Sequence, residues 1–253
     1  MNKTKIDWCD STWNPVTGCL HGCEYCYARG IAKRFGGTDS EVFDEEYRLY
    51  AKHELYKPLM LNGKKAPYPY GFAATFHRYR LNEYTEKKGR NIFVCSMSDL
   101  FGDWVPDEWI EEVFEACDRA PQHNYLFLTK NPIRYEFLHQ KGILRKSENM
   151  WYGYSAPTSN SDYWYDSQYN IFASIEPILE PMTMPHAEWI IIGAETGKRK
   201  DKVVPDRKWI KDIVEACVDA DIPIFMKSSL ADIWEEPLIQ EFPEELKLEV
   251  NNV

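Results

Sequence analysis

One loop–helix–strand unit occurs twice in this chain. Val105-Pro106-Asp107-Glu108-Trp109-Ile110 runs on through Glu115-Ala116-Cys117 to an apolar strand ending at Lys130. Val204-Pro205-Asp206 likewise leads through Trp209-Ile210 and Glu215-Ala216-Cys217 to a strand ending at Lys227. Proline is favoured at a helix start, where its missing N–H would be unpaired anyway. The repeat therefore predicts two proline-started helices, each followed by a buried strand, with Cys117 and Cys217 as small buried residues on equivalent helix faces. Strands joined through helices pair in parallel.

The rest of the chain extends the alternation. Short β-rich runs bounded by turn residues predict strands over 13–16, 73–77, 91–96, 125–129, 151–155, 171–175, 189–194 and 222–227. Several are nearly continuous apolar stretches, as strands buried on both faces should be. Amphipathic patterns predict helices over 27–35, 107–119, 133–141 and 206–220. The order is βαβα, and 253 residues suit one (β/α) barrel, which typically needs about 250. The expected fold is thus α/β, a TIM-like parallel barrel, full or partial, of six to eight strands in a single domain over 1–253. Segments 160–170 and 177–185 lack a clear helical pattern, so closure into a full eightfold barrel stays open.

Composition narrows the class. At 44% hydrophobic and 15% aromatic the chain is too apolar for disorder. No run approaches the roughly 20 apolar residues of a membrane span, and the opening MNKTKIDWCD lacks the apolar core of a signal peptide. The expectation is a cytoplasmic protein with no membrane partner. A formal charge of -10 argues against a non-specific grip on nucleic acid. Two basic stretches, Arg78, Arg80, Lys87, Lys88, Arg90 and Lys198, Arg199, Lys200, Lys202, are read either as solvated loops or as a local groove.

In a parallel barrel the reacting groups sit on loops after the C-terminal strand ends. His77, Ser96, Ser98, Asp99, Thr129, Lys130, Ser155, Glu176, Glu195, Lys227 and Ser228 each follow an apolar run and together outline a polar mouth.

Seven cysteines are an odd number, and three crowd into Gly18-Cys19-Leu20-His21-Gly22-Cys23-Glu24-Tyr25-Cys26-Tyr27. That C-x3-C-x2-C spacing follows the first predicted strand. Thiolates are soft ligands suited to iron–sulfur clusters, and so short a loop holds three corners of a cubane while leaving the fourth iron open. The competing reading is a zinc site completed by His21, Cys9 or a distant His, in a non-catalytic binding or regulatory protein. Zinc sites usually pair two short hooks, and the sequence has no second C-x2-C or H-x3-H. Cys9 and Cys95 stand alone, and Cys95 inside an apolar run is read as core.

The motif, with Tyr25 before its last cysteine, resembles the radical S-adenosylmethionine (SAM) signature. Further segments are similar, in order, to a phage-associated family of three-cysteine proteins of unknown function. They are Trp13-Asn14-Pro15-Val16-Thr17-Gly18-Cys19, Ser96-Met97-Ser98-Asp99-Leu100-Phe101, Leu128-Thr129-Lys130, Glu176-Pro177, Ile192-Gly193-Ala194-Glu195-Thr196-Gly197 and Phe225-Met226-Lys227. Members of that family usually carry a longer insert than Leu20-His21-Gly22, and the Gly-Gly-Glu of many radical SAM enzymes is absent after the second strand.

The resemblance implies a 4Fe-4S cluster on Cys19, Cys23 and Cys26 that cleaves SAM reductively to a 5'-deoxyadenosyl radical. It also implies reduced flavodoxin or ferredoxin as electron donor. SAM contacts are then expected from Tyr25, His77, Ser96, Ser98, Asp99 and Thr129. Glu176 and Glu195 would accept from ribose hydroxyls or substrate amines, and Lys130 and Lys227 would grip a carboxylate or phosphate. The phage association points to a small-molecule, nucleotide or DNA-base substrate and to DNA modification. A flipped base would find Trp104, Trp151, Tyr163 and Trp164 for stacking.

Overall fold

Runs that are apolar along their whole length end up covered on both faces, and this decides the architecture. The computed structural model describes residues 4–36, 53–197 and 199–247. Along the chain come β1 (Ser11–Trp13), β2 (Val16–Thr17), α1 (Tyr27–Phe35), β3 (His53–Leu55), β4 (Met60–Leu61), β5 (Lys64–Lys65), β6 (Thr75–His77), β7 (Asn91–Val94), α2 (Asp107–Asp118), β8 (Asn124–Thr129), α3 (Ile133–Gln140), β9 (Met150–Ser155), β10 (Asn170–Ile175), β11 (Trp189–Ile192), α4 (Arg207–Asp219), β12 (Ile224–Met226) and α5 (Ala231–Trp234). Seven strands form one sheet in the order β1-β7-β8-β9-β10-β11-β12, parallel at every pairing. The sheet is a curled half-barrel in a mixed α/β fold.

Two of the eight expected strands behave differently. The 13–16 run splits, because Pro15 has no N–H to give a ladder. Its first part is β1, whereas β2 pairs antiparallel with β6 in a small β2-β6-β3 sheet. The 73–77 run is therefore β6 of that second sheet rather than a barrel strand. The expected strand over 91–96 stops at Val94, since Cys95 takes the left-handed φ of 60° and its carbonyl accepts from Ser98 N at 2.9 Å, closing a turn.

The four expected helices are present within one residue at each end. The repeat is α2–β8 and α4–β12, with one difference at the helix starts. Pro106 is itself the N-cap of α2, whereas Pro205 precedes Asp206, whose side chain caps α4 by accepting from Lys208 N at 2.7 Å. Cys117 and Cys217 are both fully buried. Segments 160–169 and 177–185 carry no helix, as their patterning predicts.

Alternation along each strand sorts side chains onto two faces. On the helix-covered face lie Val94, Phe127, Tyr152 and Ile190 with Trp109, Phe114 and Ile213 of α2 and α4. The opposite, inner face carries Phe93, Leu126, Trp151, Phe172, Ile191 and Phe225, and here Trp8 does the filling. Trp8 is 2% exposed, with its ring centroid 4.7 Å from Phe93, 6.0 Å from Phe172 and 6.3 Å from Trp189. Asp7, one residue earlier, accepts from Ser228 N at 2.8 Å and so links the approach to β1 with the exit from β12, the two edges of the sheet. The N-terminal strand ends are closed by the last described segment, where the Leu246 and Glu245 carbonyls accept from Asn91 and Asn124.

Replacing a buried tryptophan by alanine removes about 3–5 kcal/mol of stability when the site cannot collapse. Trp8→Ala should lower the unfolding free energy by about that amount in urea titrations. A loss below about 1 kcal/mol would show that the inner face is filled by other means.

Candidate active site

The cysteine loop begins where the chain leaves β2 against a backbone that leaves no room for a side chain. Gly18 has a φ of 88°, and a Cβ there would lie 2.2 Å from the Ala73 carbonyl oxygen. Gly18 N donates to Met97 O at 3.0 Å, Ser98 Oγ donates to Gly18 O at 2.7 Å, and Cys19 N donates to Phe72 O at 3.3 Å. At its far end the loop runs into α1. Cys26 is the N-cap, its Sγ accepting from Arg29 N at 3.4 Å, and the Tyr27 hydroxyl donates to Ser96 O at 2.7 Å.

Between these ends, the side chains of His21, Glu24 and Tyr25 tie the loop to different strand ends. His21 Nε2 lies 2.6 Å from Asp99 Oδ2. Asp99 is 4% exposed, and it also accepts from Phe101 N at 3.0 Å, Thr129 Oγ1 at 2.9 Å and Lys130 N at 2.9 Å. Tyr25 OH is reached by Lys130 Nζ at 3.0 Å, and the same ammonium donates to Ser155 Oγ at 2.9 Å. Glu24 meets Arg199 at 3.2 Å, and Arg199 grips Glu195 through two bonds of 2.8 and 2.7 Å. The loop is thereby fastened to residues following β7, β8 and β11 and to the end of β9. The Arg199 hydrogen bonds hold the Glu195 carboxyl below the usual carboxylate range.

A second ion pair, Lys227 Nζ to Glu176 Oε1, joins the ends of β12 and β10. Gly193 allows it. A Cβ at that position would stand 3.1 Å from Lys227 Cδ and 3.3 Å from Glu176 Cγ. Lys130, by contrast, has two neutral hydroxyls as partners and no carboxylate within ion-pair distance among the described residues.

Cys19, Cys23 and Cys26 are free thiols, each partly exposed. Burial pushes the Cys19 thiol up to about 12. No three His, Cys, Asp or Glu side chains among the described residues converge in metal-holding geometry. The donor set is the part that fits a cluster: three soft, unbridged sulfurs on one short loop. A zinc ion would need a fourth donor; His21 bonds Asp99 through Nε2, which leaves its Nδ1 for that role.

Of the residues expected at the mouth, Tyr25, Asp99, Thr129, Lys130 and Glu195 join the network around the loop, and Glu176 and Lys227 pair beside it. Ser96 and Ser98 are spent on local structure: Ser96 Oγ donates to the side-chain Oδ1 of Asn14 at 3.2 Å, and Ser98 Oγ donates to the Gly18 backbone carbonyl. His77 is drawn elsewhere. It is fully buried at the end of β6, with Nε2 2.9 Å from Thr17 Oγ1, because its strand belongs to the small sheet. Burial pushes its ring down to about 3. Trp151 and Trp164 are core residues at 2% and 7% exposure, whereas Trp104 packs edge-on against His21 at 4.9 Å. In the first basic stretch Arg78 pairs with Glu54 and Glu112, and Arg80 donates to Asn14 O. Lys198 lies outside the described residues. Sequence reasoning missed His21 and Arg199 as loop ties, since Asp99 is 78 residues from His21, Glu24 is 175 residues from Arg199, and Arg199 itself lies in a charge run that reads as solvated loop.

Fold and site together define a half-barrel α/β protein with a three-cysteine loop fastened across its strand ends. The chain belongs to the family described as Protein of unknown function (DUF5131), whose model matches residues 3–236. No curated protein and no solved structure matches the chain. None of the described helices is long and apolar enough to cross a membrane.

Asp99→Asn keeps the shape but presents an NH2 group to donors that need an acceptor, and should cost about 3 kcal/mol. His21→Ala, on the partly exposed side of the same pair, should cost only about 1 kcal/mol. Denaturant titrations test the ranking, and equal losses would refute Asp99 as the hub.

The His77 ring favours its neutral form in the fold far more than in the unfolded chain, where about 6.5 is normal. The unfolded state therefore binds the extra proton, and the stability held above about pH 6.5 is lost as pH falls toward 3. From about pH 7 to about pH 5 this group alone should remove about 2 kcal/mol. His77→Gln should flatten that part of the pH–stability curve, and an unchanged slope would contradict the assignment.

Proposed function

We propose that this chain is a radical SAM enzyme built on a truncated TIM-like barrel. The observation that carries the reading is the C-x3-C-x2-C loop of free thiols fastened across the C-terminal strand ends. Cys19, Cys23 and Cys26 would hold a 4Fe-4S cluster by three corners, which suits free thiols in a reducing compartment such as the cytoplasm. With the cluster bound, the chemistry supplied is reductive cleavage of SAM to methionine and a hydrogen-abstracting 5'-deoxyadenosyl radical.

The chain's own residues provide position and charge. His21 and Asp99 fix the middle of the loop, and the Lys130 ammonium, lacking a carboxylate partner, offers a carboxylate or phosphate one uncompensated charge. Glu176 with Lys227 and Glu195 with Arg199 offer acceptors whose charge is already balanced, so they suit hydroxyls and amines better than ions. A small or nucleotide-like substrate, including a modified base in a phage context, meets those demands. Reduced flavodoxin or ferredoxin is the class of donor this chemistry requires.

Anaerobic reconstitution with iron and sulfide should yield protein with the absorption and paramagnetic signature of a 4Fe-4S cluster. With SAM and dithionite it should release 5'-deoxyadenosine. Replacing the three loop cysteines by alanine should abolish both readouts. Protein that takes up zinc and no cluster would overturn the proposal in favour of a structural metal site.

A further inference from the structure

In a parallel sheet each crossover normally lays a helix over the outer face. The crossovers from β9 to β10 and from β10 to β11 carry none. Where their helices would pack, a cavity of 210 Å³ remains. It opens beside Tyr154, which points to the helix-covered face, whereas the next residue, Ser155, bonds Lys130 on the other side. The cavity is therefore separated by the sheet from the hydroxyl network under the cysteine loop.

Its lining is aromatic, thioether and hydroxyl, and no Asp, Glu, Lys or Arg lines it. The Tyr163 ring lies 6.3 Å from Tyr154 and 5.9 Å from His186, and Tyr165 flanks His186 at 6.4 Å. Met182 and Met184 complete the wall. These rings are not sealing the core. Tyr163 and Tyr165 stay 55% and 45% exposed, while Trp164 between them turns inward and donates to Glu136 at 2.8 Å. The hydroxyls of Tyr163 and Thr183 and both ring nitrogens of His186 have no hydrogen-bond partner among the described residues.

We infer that this cavity is a binding site for a nucleobase, carried by a nucleoside or by an unstacked single strand. The volume is below the roughly 300–1,000 Å³ of pockets for drug-sized ligands, so it admits one ring system and little more. Every base presents a π-face that exposed tyrosines can stack. Its polar edge meets the unused hydroxyls and imidazole nitrogens, and a lining without Lys or Arg disfavours a phosphate or carboxylate in the cavity itself. The site goes beyond the proposed function, because nothing in it depends on the cysteine loop.

The test is calorimetric titration of the full chain with adenosine, guanosine, cytidine and thymidine, and with a short single-stranded oligonucleotide, using ribose as the base-free control. At least one nucleoside, free or in the oligonucleotide, should bind saturably while ribose does not, and the tighter of the two forms identifies the source. Tyr163→Ala and His186→Ala should each weaken that binding about tenfold, with melting curves unchanged, whereas Tyr163→Phe should retain it. The protein lacking the three loop cysteines should bind equally well. Absence of saturable binding at millimolar nucleoside, equal binding of ribose, or indifference to both alanine variants would overturn the inference. So would loss of binding in a folded cysteine variant, which would assign the base to the mouth while leaving the proposed function untouched.

Discussion

A carboxylate can be buried only if its lone pairs are met, because an uncompensated internal charge costs several kcal/mol. Asp99 is met from three directions: by the backbone of its own turn, by the end of β8, and by His21 of the cysteine loop. The left-handed Cys95 makes this arrangement possible. By ending β7 early it turns the chain, with Ser98 N closing onto Cys95 O, and delivers Asp99 beside Thr129. Three of its four bonds come from the turn after β7 and the end of β8, and the loop adds the fourth through His21. The acid thus ties the middle of the three-thiol loop to the strand ends of β7 and β8.

The three ties of the loop are unequal, and exposure ranks them. Glu24 is 81% exposed, so its bridge to Arg199 belongs to the class that contributes about 0–1 kcal/mol. The Lys130 bonds to Tyr25 and Ser155 are better shielded and bring a cation to the loop without cancelling it. Arg199 and Glu195 make a two-bonded pair whose fork geometry fixes the guanidinium on the β11 side. Among the side-chain ties, the stronger are therefore His21, midway between the first two cysteines, and Tyr25, beside the last. Glu24 adjusts its edge.

The elements were legible in the sequence because both-face apolar runs and a repeated proline-led helix leave periodic traces. Strand partnership leaves none. The 73–77 run has the same composition as a barrel strand, and only the break at Pro15, which sends β2 into a second sheet, decides that β6 pairs there. His77 follows its strand into that sheet, which is why a polar residue after an apolar run proved to be a buried neutral imidazole. The site was legible to the same degree. Parallel topology guarantees that Asp99, Thr129, Lys130, Glu176, Glu195 and Lys227 gather at one end of the sheet. Glu195 meets Arg199 four residues on, but the partners of Asp99, Lys130 and Glu176 include side chains 30 to 105 residues away, for which spacing gives no signal.

An open half-barrel has a further problem, an inner face with no opposing strands to cover it. Here the chain uses its own ends. Trp8 fills the middle of that face, and the segment around Leu246 covers the strand starts. Because Asp7 must reach Ser228 for Trp8 to sit where it does, the residue after Lys227 is fixed by the packing of the inner core. Lys227 in turn faces Glu176 across Gly193, where an added Cβ would crowd both partners of the ion pair. Filling the interior and aligning the charged pair at the mouth are therefore one structural act, which is how seven strands without closure can still present a fixed set of groups at their C-terminal ends.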